Sequence, residues 1–123
     1  MAATTLIHRG DVFWVESEDE GRLAPAIRHP HVVVQDDVFN HSRIPTLVMC
    51  ALTSNPQRAS EPGNVQLEPG EANLARPSVV VVSQVSVVAR AQLGQYIGSL
   101  SQERVEQILD GMRFQQKSFF QRS

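Results

Sequence analysis

The stretch Ser78-Val79-Val80-Val81-Val82-Ser83 decides the class of fold. Four consecutive β-branched side chains are stiff in a helix and pack well on a pleated surface, so this run predicts a strand. A second run of the same character, residues 86–89, follows closely and either continues this strand or pairs beside it. This part of the chain is therefore expected to belong to a β-sheet.

Further β-rich segments precede this run. Each is apolar and is bounded by glycine, proline or acidic residues; they are residues 11–16, 31–35, 46–52 and, as a short strand, 64–67. The acidic residues 16–20 break the pattern after the first strand and predict a mobile surface loop. Several short strands at close spacing indicate a small antiparallel β-barrel or a sandwich.

The C-terminal segment after Gly98 has a different periodicity. Its apolar side chains recur at helical spacing and form one face; they are Val105, Ile108, Leu109 and Met112. Ser101 stands where an N-cap would, so the sequence predicts a helix over about residues 101–118. With strands over about residues 8–98, the chain reads as mainly β with a C-terminal α-helix.

Length and composition limit the classes of protein to consider. A chain of 123 residues with 41% hydrophobic content suits one compact domain over residues 1–123. It has neither a long apolar span nor a signal-peptide pattern, so we expect a cytoplasmic protein without a membrane partner. The single cysteine, Cys50, excludes an internal disulfide and is expected in the core. A net charge of −2 argues against a broad polybasic surface.

One corner of the sequence concentrates groups that can do chemistry. His29 and His31 project to the same side of a strand, and Arg28 directly precedes them. A titratable imidazole beside a fixed positive charge suits an anionic ligand. The two histidines are not expected to bind a metal, because the first carboxylates, Asp36 and Asp37, fall beyond the end of the strand. His31 is expected to be structural.

The chain resembles the MazF/PemK-like toxins of type II toxin–antitoxin systems. The likeness is carried, in order along the chain, by residues 9–15 (Arg-Gly-Asp-Val-Phe-Trp-Val), 29–40, 50–55 (Cys-Ala-Leu-Thr-Ser-Asn), 78–85 and 93–101. This resemblance implies the SH3-like β-barrel of the MazF/PemK/CcdB-like toxins with a C-terminal helix, and a homodimer. It also implies an endoribonuclease (mRNA interferase) that cleaves single-stranded RNA without a metal or other cofactor and is blocked by a cognate, MazE-like antitoxin. DNA would be contacted only indirectly, through that antitoxin.

The family's catalytic positions are only partly kept. Many of these toxins read Arg-Pro at the start of the second strand, whereas this chain reads His29-Pro30 and has Arg28 one place earlier, on the opposite strand face. Thr53 matches the family's catalytic threonine. The predicted catalytic residues are therefore His29, Thr53 and Arg28. The predicted RNA-binding residues are Arg43, Ser54, Arg58 and Gln84.

These residues suffice for metal-independent cleavage. The 2′-hydroxyl of RNA attacks the adjacent phosphorus and leaves a 2′,3′-cyclic phosphate, so the protein must supply proton transfer and charge stabilisation. His29 is the proton carrier in this hypothesis, Arg28 or Arg43 supplies the positive charge, and the Thr53 hydroxyl donates to a phosphate oxygen.

Two other functions remain open at this point. The chief alternative, suggested by the Arg-to-His change, is a catalytically weakened toxin-fold module retained for antitoxin binding or operator regulation. A hydrolase of small phosphoesters is the third possibility, although the sequence has no glycine-rich phosphate loop.

Overall fold

The computed structural model describes residues 6–17 and 27–120, without the side chains of residues 17, 27 and 118–120. The strands are β1 (Asp11–Ser17), β2 (Ile27–Val33), β3 (Thr46–Thr53), β4 (Val65–Leu67), β5 (Ser78–Ala89) and β6 (Leu93–Ser99). The α-helices are α1 (Asp37–Asn40) and α2 (Gln102–Phe120), and short 3₁₀ turns lie at Pro56–Ser60, Glu71–Asn73 and Arg90–Gln92. The expectation of a mainly β fold with a C-terminal helix is confirmed.

The strands form one antiparallel sheet in the order β4-β5-β3-β2-β1-β6. In the described part of the chain no strand ladder joins the two edge strands, β4 and β6, and the short segment that follows β4 lies against β6 instead. There the side-chain amide of Asn73 donates to the Ile97 carbonyl oxygen at 3.0 Å. Gly98 lies so close that a Cβ built on it would be 2.4 Å from the Ala72 carbonyl oxygen. The expected barrel is thus open at one seam, which residues 71–76 bridge.

Apolar side chains are buried on both faces of the sheet. The inner cluster joins the strands to α2 and includes Val12, Val32, Cys50, Leu52, Val80, Val82 and Ile108. A smaller cluster on the opposite face contains Val15, Val33, Leu47, Met49 and Val88. Burial on both faces explains why β5 opens with consecutive valines instead of alternating with polar residues. As expected, Cys50 is buried, and burial raises the pKa of its thiol to about 11.

Helix α2 begins and packs as its sequence predicts. The backbone N–H of Arg104 donates to the Ser101 hydroxyl at 3.2 Å, so Ser101 is the N-cap. Ile108 is fully buried in the inner cluster, with Val105 and Met112 packed around it. The helix approaches the 61–64 turn very closely, because a Cβ on Gly111 would be 2.0 Å from the Gly63 carbonyl oxygen.

Several strand boundaries differ from the sequence prediction. Strand β2 begins at Ile27 and ends at Val33, so the predicted strand 31–35 was placed too late. The two histidines lie within β2 because Pro30 is tolerated opposite Trp14 of β1. Strand β5 is continuous through Ala89, which decides between the two readings of residues 86–89. Strand β6 was not predicted, since its glycines and polar residues weaken the strand pattern.

The polar turn after β2 and the acidic segment after β1 also differ from the prediction. The turn contains helix α1, capped by the Asp36 carboxylate, which accepts from the Val38 N–H at 2.9 Å. Of the predicted acidic loop 16–20, Glu16 and residue 17 belong to β1, and residues 18–20 lie outside the described part of the chain. No helix within residues 6–17 and 27–120 combines the length and apolarity needed to cross a membrane.

Candidate functional site

A cavity of about 470 Å³ opens at the seam of the barrel. Strands β1, β2, β3, β5 and β6 and the bridging segment contribute to it. The lining residues are Trp14, Arg28, His29, Pro30, Leu52, Thr53, Ser54, Asn73, Leu74, Ala75, Arg76, Ser78 and Ile97. Among these described residues are two guanidinium groups, one imidazole and three hydroxyl groups, but no carboxylate. The seam cavity therefore has the chemistry of a site for an anionic ligand.

Arg28 is positioned by an aromatic ring. Trp14 pairs with Pro30 across β1 and β2, and Arg28 lies two residues from Pro30 on the same strand face. The guanidinium carbon is 5.2 Å from the centroid of the Trp14 ring, which is the geometry of a cation–π interaction. Arg28 is thus a permanent positive charge held at the cavity wall.

The two histidines of β2 have different environments. The His29 side chain is exposed at the cavity, opposite Val15 in the β1–β2 register. His31 is buried, and its ring Nδ1 donates to the His29 carbonyl oxygen at 3.0 Å. Burial lowers the pKa of His31, although the hydrogen bond opposes that shift. His31 therefore supports the strand, as expected, while His29 is available to a ligand. Although Arg28 and His29 are neighbours on a strand, both reach the cavity.

Thr53 and Ser54 lie where β3 ends against the start of β5. Thr53 is half-buried and pairs with Val79. Its hydroxyl oxygen accepts from the Asn55 N–H at 3.2 Å, and the Asn55 side-chain oxygen accepts from the Gln57 N–H at 3.1 Å. These bonds fix the chain as it leaves the strand. The Thr53 hydroxyl still has its proton to donate to a ligand.

Sequence reasoning did not assign Trp14, Asn73 or Arg76 to the site. The bridging segment brings Asn73 and Arg76 to the cavity, and a connection of this kind has no periodicity from which its path can be read. Ala72 and Asn73 have positive φ values of 50° and 59°. Such values are rare for residues other than glycine and are often found near functional sites. The one available sequence signal was Arg76-Pro77, directly before the strongest strand.

Three predicted RNA-binding residues lie outside the seam cavity. Arg43 is exposed in the connection before β3, at the opposite end of that strand from Thr53; eight extended residues span roughly 24 Å. Arg58 pairs with Glu61 in the turn that follows Asn55. Gln84 is exposed in the middle of β5. The structure thus brings Arg28, His29, Thr53 and Ser54 together and leaves the other three apart.

A second, larger and more open groove of about 620 Å³ lies beside the end of α2. Its lining residues include Glu61, Ser83, Phe114 and Lys117, with no imidazole or guanidinium among the described ones. It lacks the groups for proton transfer between pH 6 and 8. The seam cavity is therefore the better candidate despite its smaller volume.

Comparison with known proteins agrees with the resemblance seen in the sequence. A family model described as PemK-like, MazF-like toxin of type II toxin-antitoxin system matches residues 8–115. The endoribonuclease MazF2 of Mycobacterium bovis is 31% identical over 108 residues, which cover 88% of this chain and 95% of that protein.

Solved structures of low sequence identity share the fold. An endoribonuclease in complex with its cognate antitoxin from Mycobacterial species superposes with a TM-score of 0.69 at 18% identity, covering 88% of this chain and 92% of that one. MazE-MazF (Form-III) from Deinococcus radiodurans superposes with a TM-score of 0.73 at 14% identity, covering 92% and 98%. Since the family model and the M. bovis relative each match most of its length, the chain belongs to the PemK-like, MazF-like toxins of type II toxin–antitoxin systems.

Proposed function

We propose that this chain is the toxin of a type II toxin–antitoxin system and acts as a sequence-selective endoribonuclease on single-stranded RNA. The observation that carries the proposal is the seam cavity, in which Arg28, Arg76 and His29 meet hydroxyl groups without a carboxylate among the described lining residues. The curated relative that is 31% identical is named an endoribonuclease, which supports the same activity here.

The reaction needs no metal in this proposal, because RNA carries its own nucleophile. The 2′-hydroxyl attacks the neighbouring phosphorus, the bond to the 5′-oxygen breaks, and a 2′,3′-cyclic phosphate remains. His29 makes one of the two proton transfers, either removing the proton of the 2′-hydroxyl or protonating the leaving 5′-oxygen, a role that contributes about 10²- to 10⁴-fold, and solvent water makes the other. Its exposed side chain is open to the substrate.

The phosphate is held by fixed charges and a hydroxyl donor. The negative charge that develops on the phosphoryl oxygens is offset by two guanidinium groups. These are Arg28, which stacks on Trp14, and Arg76 of the bridging segment. The Thr53 hydroxyl donates to one of these oxygens. The sequence analysis considered Arg43 as a source of positive charge, but Arg43 lies at the far end of β3. Arg76 supplies that charge in this scheme. The Trp14 ring, which lines the cavity, adds a surface on which a base can stack.

The proposed partners are a second copy of the chain and an antitoxin. Strand β5 exposes Val85 and Val87, with Val87 68% exposed, which favours burial against another chain. A MazE-like antitoxin with an acidic, partly disordered segment would occupy the cationic cavity and exclude RNA. Contact with DNA is indirect, through that antitoxin, and the site of action is the cytoplasm.

Cleavage of a long single-stranded RNA by the purified protein in excess chelator tests the proposal. We expect cleavage at selected sequences, with 2′,3′-cyclic phosphate at the new ends. The His29→Ala variant should lose cleavage by about 10²-fold or more while its unfolding temperature and mass in solution stay unchanged. Arg113→Ala, which removes an exposed arginine of α2, is the control that keeps activity.

The outcomes separate the two main functions. Full activity of His29→Ala would remove this residue from the mechanism. Dependence of cleavage on added Mg²⁺ would contradict the metal-independent reaction. A folded protein that binds RNA or antitoxin but cleaves nothing would be the catalytically weakened module instead.

A further inference from the structure

Two histidines and an aspartate converge at the end of the barrel opposite the seam cavity. His8 precedes β1, whereas Asp37 and His41 begin and follow helix α1. Nδ1 of His8 is 3.2 Å from Nε2 of His41 and 3.7 Å from Oδ2 of Asp37, and all three potential ligand atoms lie within 4.8 Å of one another. His8 and His41 are 33 positions apart in sequence, so the tertiary fold creates the cluster.

The spacing of the three atoms suits a tetrahedral transition-metal ion. With metal–nitrogen and metal–oxygen distances near 2.0–2.1 Å, two ligands of a tetrahedral Zn²⁺ lie about 3.3–3.4 Å apart. The His8–His41 separation already has this value within 0.2 Å. The Asp37 oxygen needs only a small movement of partly exposed side chains to complete the set.

The surrounding contacts hold the candidate ligands in place. Oδ1 of Asp37 accepts from the Arg9 N–H at 2.7 Å and from the Asn40 side-chain amide at 3.0 Å, which turns Oδ2 toward His8. The backbone N–H of His8 donates to Oδ2 of Asp11 at 2.9 Å. Hydrogen bonds of this kind orient the ligands of natural metal sites.

The neighbouring charges do not oppose a cation. The Arg9 guanidinium is turned away, donating to the Val34 carbonyl oxygen at 2.9 Å and facing the Asp36 carboxylate at 3.5 Å. Its charge is therefore matched by Asp36, and the Asp37 carboxylate is left for the imidazole pair.

We propose that His8, Asp37 and His41 form a binding site for a divalent transition-metal ion of the Zn²⁺ class. Two imidazoles and one carboxylate are a donor set that favours Zn²⁺, Ni²⁺ or Cu²⁺ over the oxygen-preferring Mg²⁺ and Ca²⁺. Water completes the coordination, because the cluster is exposed to solvent. This site is separate from the His29–His31 pair considered in the sequence.

The ion has a structural role in this proposal. Gly10 donates to the Val33 carbonyl oxygen at 2.8 Å, so the cluster lies at the C-terminal end of β2, whereas the seam cavity includes Arg28 and His29 near its N-terminal end. A metal at the cluster ties the segment before β1 to helix α1 without contacting a substrate in the cavity. The proposal is therefore independent of how RNA is cleaved.

Calorimetric titration of the chelator-treated, untagged protein with Zn²⁺ tests the site. We expect one equivalent to bind and the unfolding temperature to rise in its presence, with no such effect of Mg²⁺. His41→Ala and His8→Gln should each weaken Zn²⁺ binding by about tenfold or more. His29→Ala is the matched control, since His29 is an exposed histidine outside the cluster, and it should bind Zn²⁺ as the unaltered protein does.

The variants also make failure recognisable. The unfolding temperatures of the metal-free variants show whether each one folds. If one of the two ligand variants does not fold, the other still tests the site. Absence of Zn²⁺ binding to the unaltered protein would overturn the proposal. Unchanged binding by both His41→Ala and His8→Gln, or equal loss in His29→Ala, would do the same.

Discussion

Within the described part of the chain, Arg28 contacts an aromatic ring, that of Trp14, rather than a carboxylate. A guanidinium placed over a ring keeps its donors free for a phosphate, whereas an ion pair would occupy them. The sequence resemblance implies that His29 stands where many of these toxins have an arginine, and Arg28 is the arginine next to it in the sequence. Strand alternation alone would place Arg28 and His29 on opposite faces. The cation–π contact with Trp14 keeps the Arg28 side chain at the cavity.

Arg28→Ala should reduce RNA cleavage by about 10²- to 10³-fold, the range found when one donor that stabilises transition-state charge is removed. Arg28→Lys should recover only part of this loss, because an ammonium lacks the planar, stacked fork. Single-turnover cleavage of a short RNA measures both variants. Trp14 is the only tryptophan in the chain, so its fluorescence emission should shift in Arg28→Ala and report the broken contact.

Arg113→Ala provides the control for this pair, because Arg113 is exposed on α2 and pairs with Asp110. A shift in Trp14 emission with unchanged cleavage would mean that Arg28 stacks on the ring without serving the reaction.

The sequence allowed part of the site to be predicted at this scale. Arg28 and His29 were predicted from their place at the start of a strand, and Thr53 from the family resemblance; the structure brings these three residues and Ser54 to one cavity. Asn73 and Arg76 were missed because they reach the cavity through a non-periodic connection. Arg43 was assigned from its charge alone, and charge carries no information about which end of a strand a loop joins.

At the scale of elements, the bridging segment 71–76 determines the shape of the site. Glu71 anchors it to the first turn of α2 through a bidentate ion pair, in which the Arg104 guanidinium donates at 2.9 and 3.0 Å. The hydrogen bond from Arg104 lowers the pKa of the Glu71 carboxyl below its ordinary value of 4.5, despite partial burial.

The depressed pKa gives a pH dependence to stability. The ionised Glu71 stabilises the fold fully above pH 4.5, and this stabilisation is lost as the pH falls through the lower folded-state value. Because the pair is partly exposed, we expect roughly 0.5–1 kcal/mol from it. Urea unfolding of Glu71→Gln should show that deficit at pH 7 and a smaller one at pH 3. Equal deficits at both values would contradict an electrostatic origin.

Two glycines allow elements to approach each other, and their replacement separates stability from site geometry. Gly98→Ala places a Cβ 2.4 Å from the Ala72 carbonyl oxygen, and Gly111→Ala places one 2.0 Å from that of Gly63. Each should lower the free energy of unfolding by about 1–3 kcal/mol. In Gly111→Ala, the better helix propensity of alanine offsets about 1 kcal/mol of this.

Only Gly98→Ala should also change the cavity, because its clash pushes the bridging segment away from β6. We therefore expect altered Trp14 emission and reduced RNA cleavage in Gly98→Ala but not in Gly111→Ala, measured where both remain folded. Equal effects on cleavage would show that activity follows overall stability.

The sequence predicted elements well where packing imposes a period. β-Branched runs identified β1, β3 and β5, and helical spacing identified α2 with its N-cap. Strand β6 and helix α1 were missed because tertiary partners, rather than intrinsic propensity, hold them. In β6, for example, two glycines serve close approach to neighbouring backbone instead of strand formation. The open seam likewise depends on the curvature of the whole sheet, and local sequence patterns do not predict that curvature.

At the scale of the whole molecule, a net charge of −2 limits how much RNA affinity can come from long-range attraction. With two to four phosphate contacts, the slope of log Kobs against log salt should be about −1.4 to −2.8. Binding of a 2′-deoxy oligonucleotide, which lacks the attacking hydroxyl, measures it between 50 and 200 mM salt.

Arg76→Ala should make this slope shallower by about 0.7, whereas Arg43→Ala should change it less, because Arg76 lines the cavity and Arg43 does not. The opposite order would place the RNA along the far end of β3. A slope steeper than about −4 would indicate a broad phosphate-binding surface rather than a local site.

The open seam also limits how far the stability of this protein can be raised, by engineering or by evolution. Extending β4 and β6 until they pair would hide two strand edges, and unpaired edges are a liability for aggregation. The same change would fill the space that Arg28, His29 and Thr53 share. Selection for higher thermal stability at the seam is therefore expected to lower RNA cleavage. Relatives that have lost the activity should accumulate stabilising substitutions along the two edge strands.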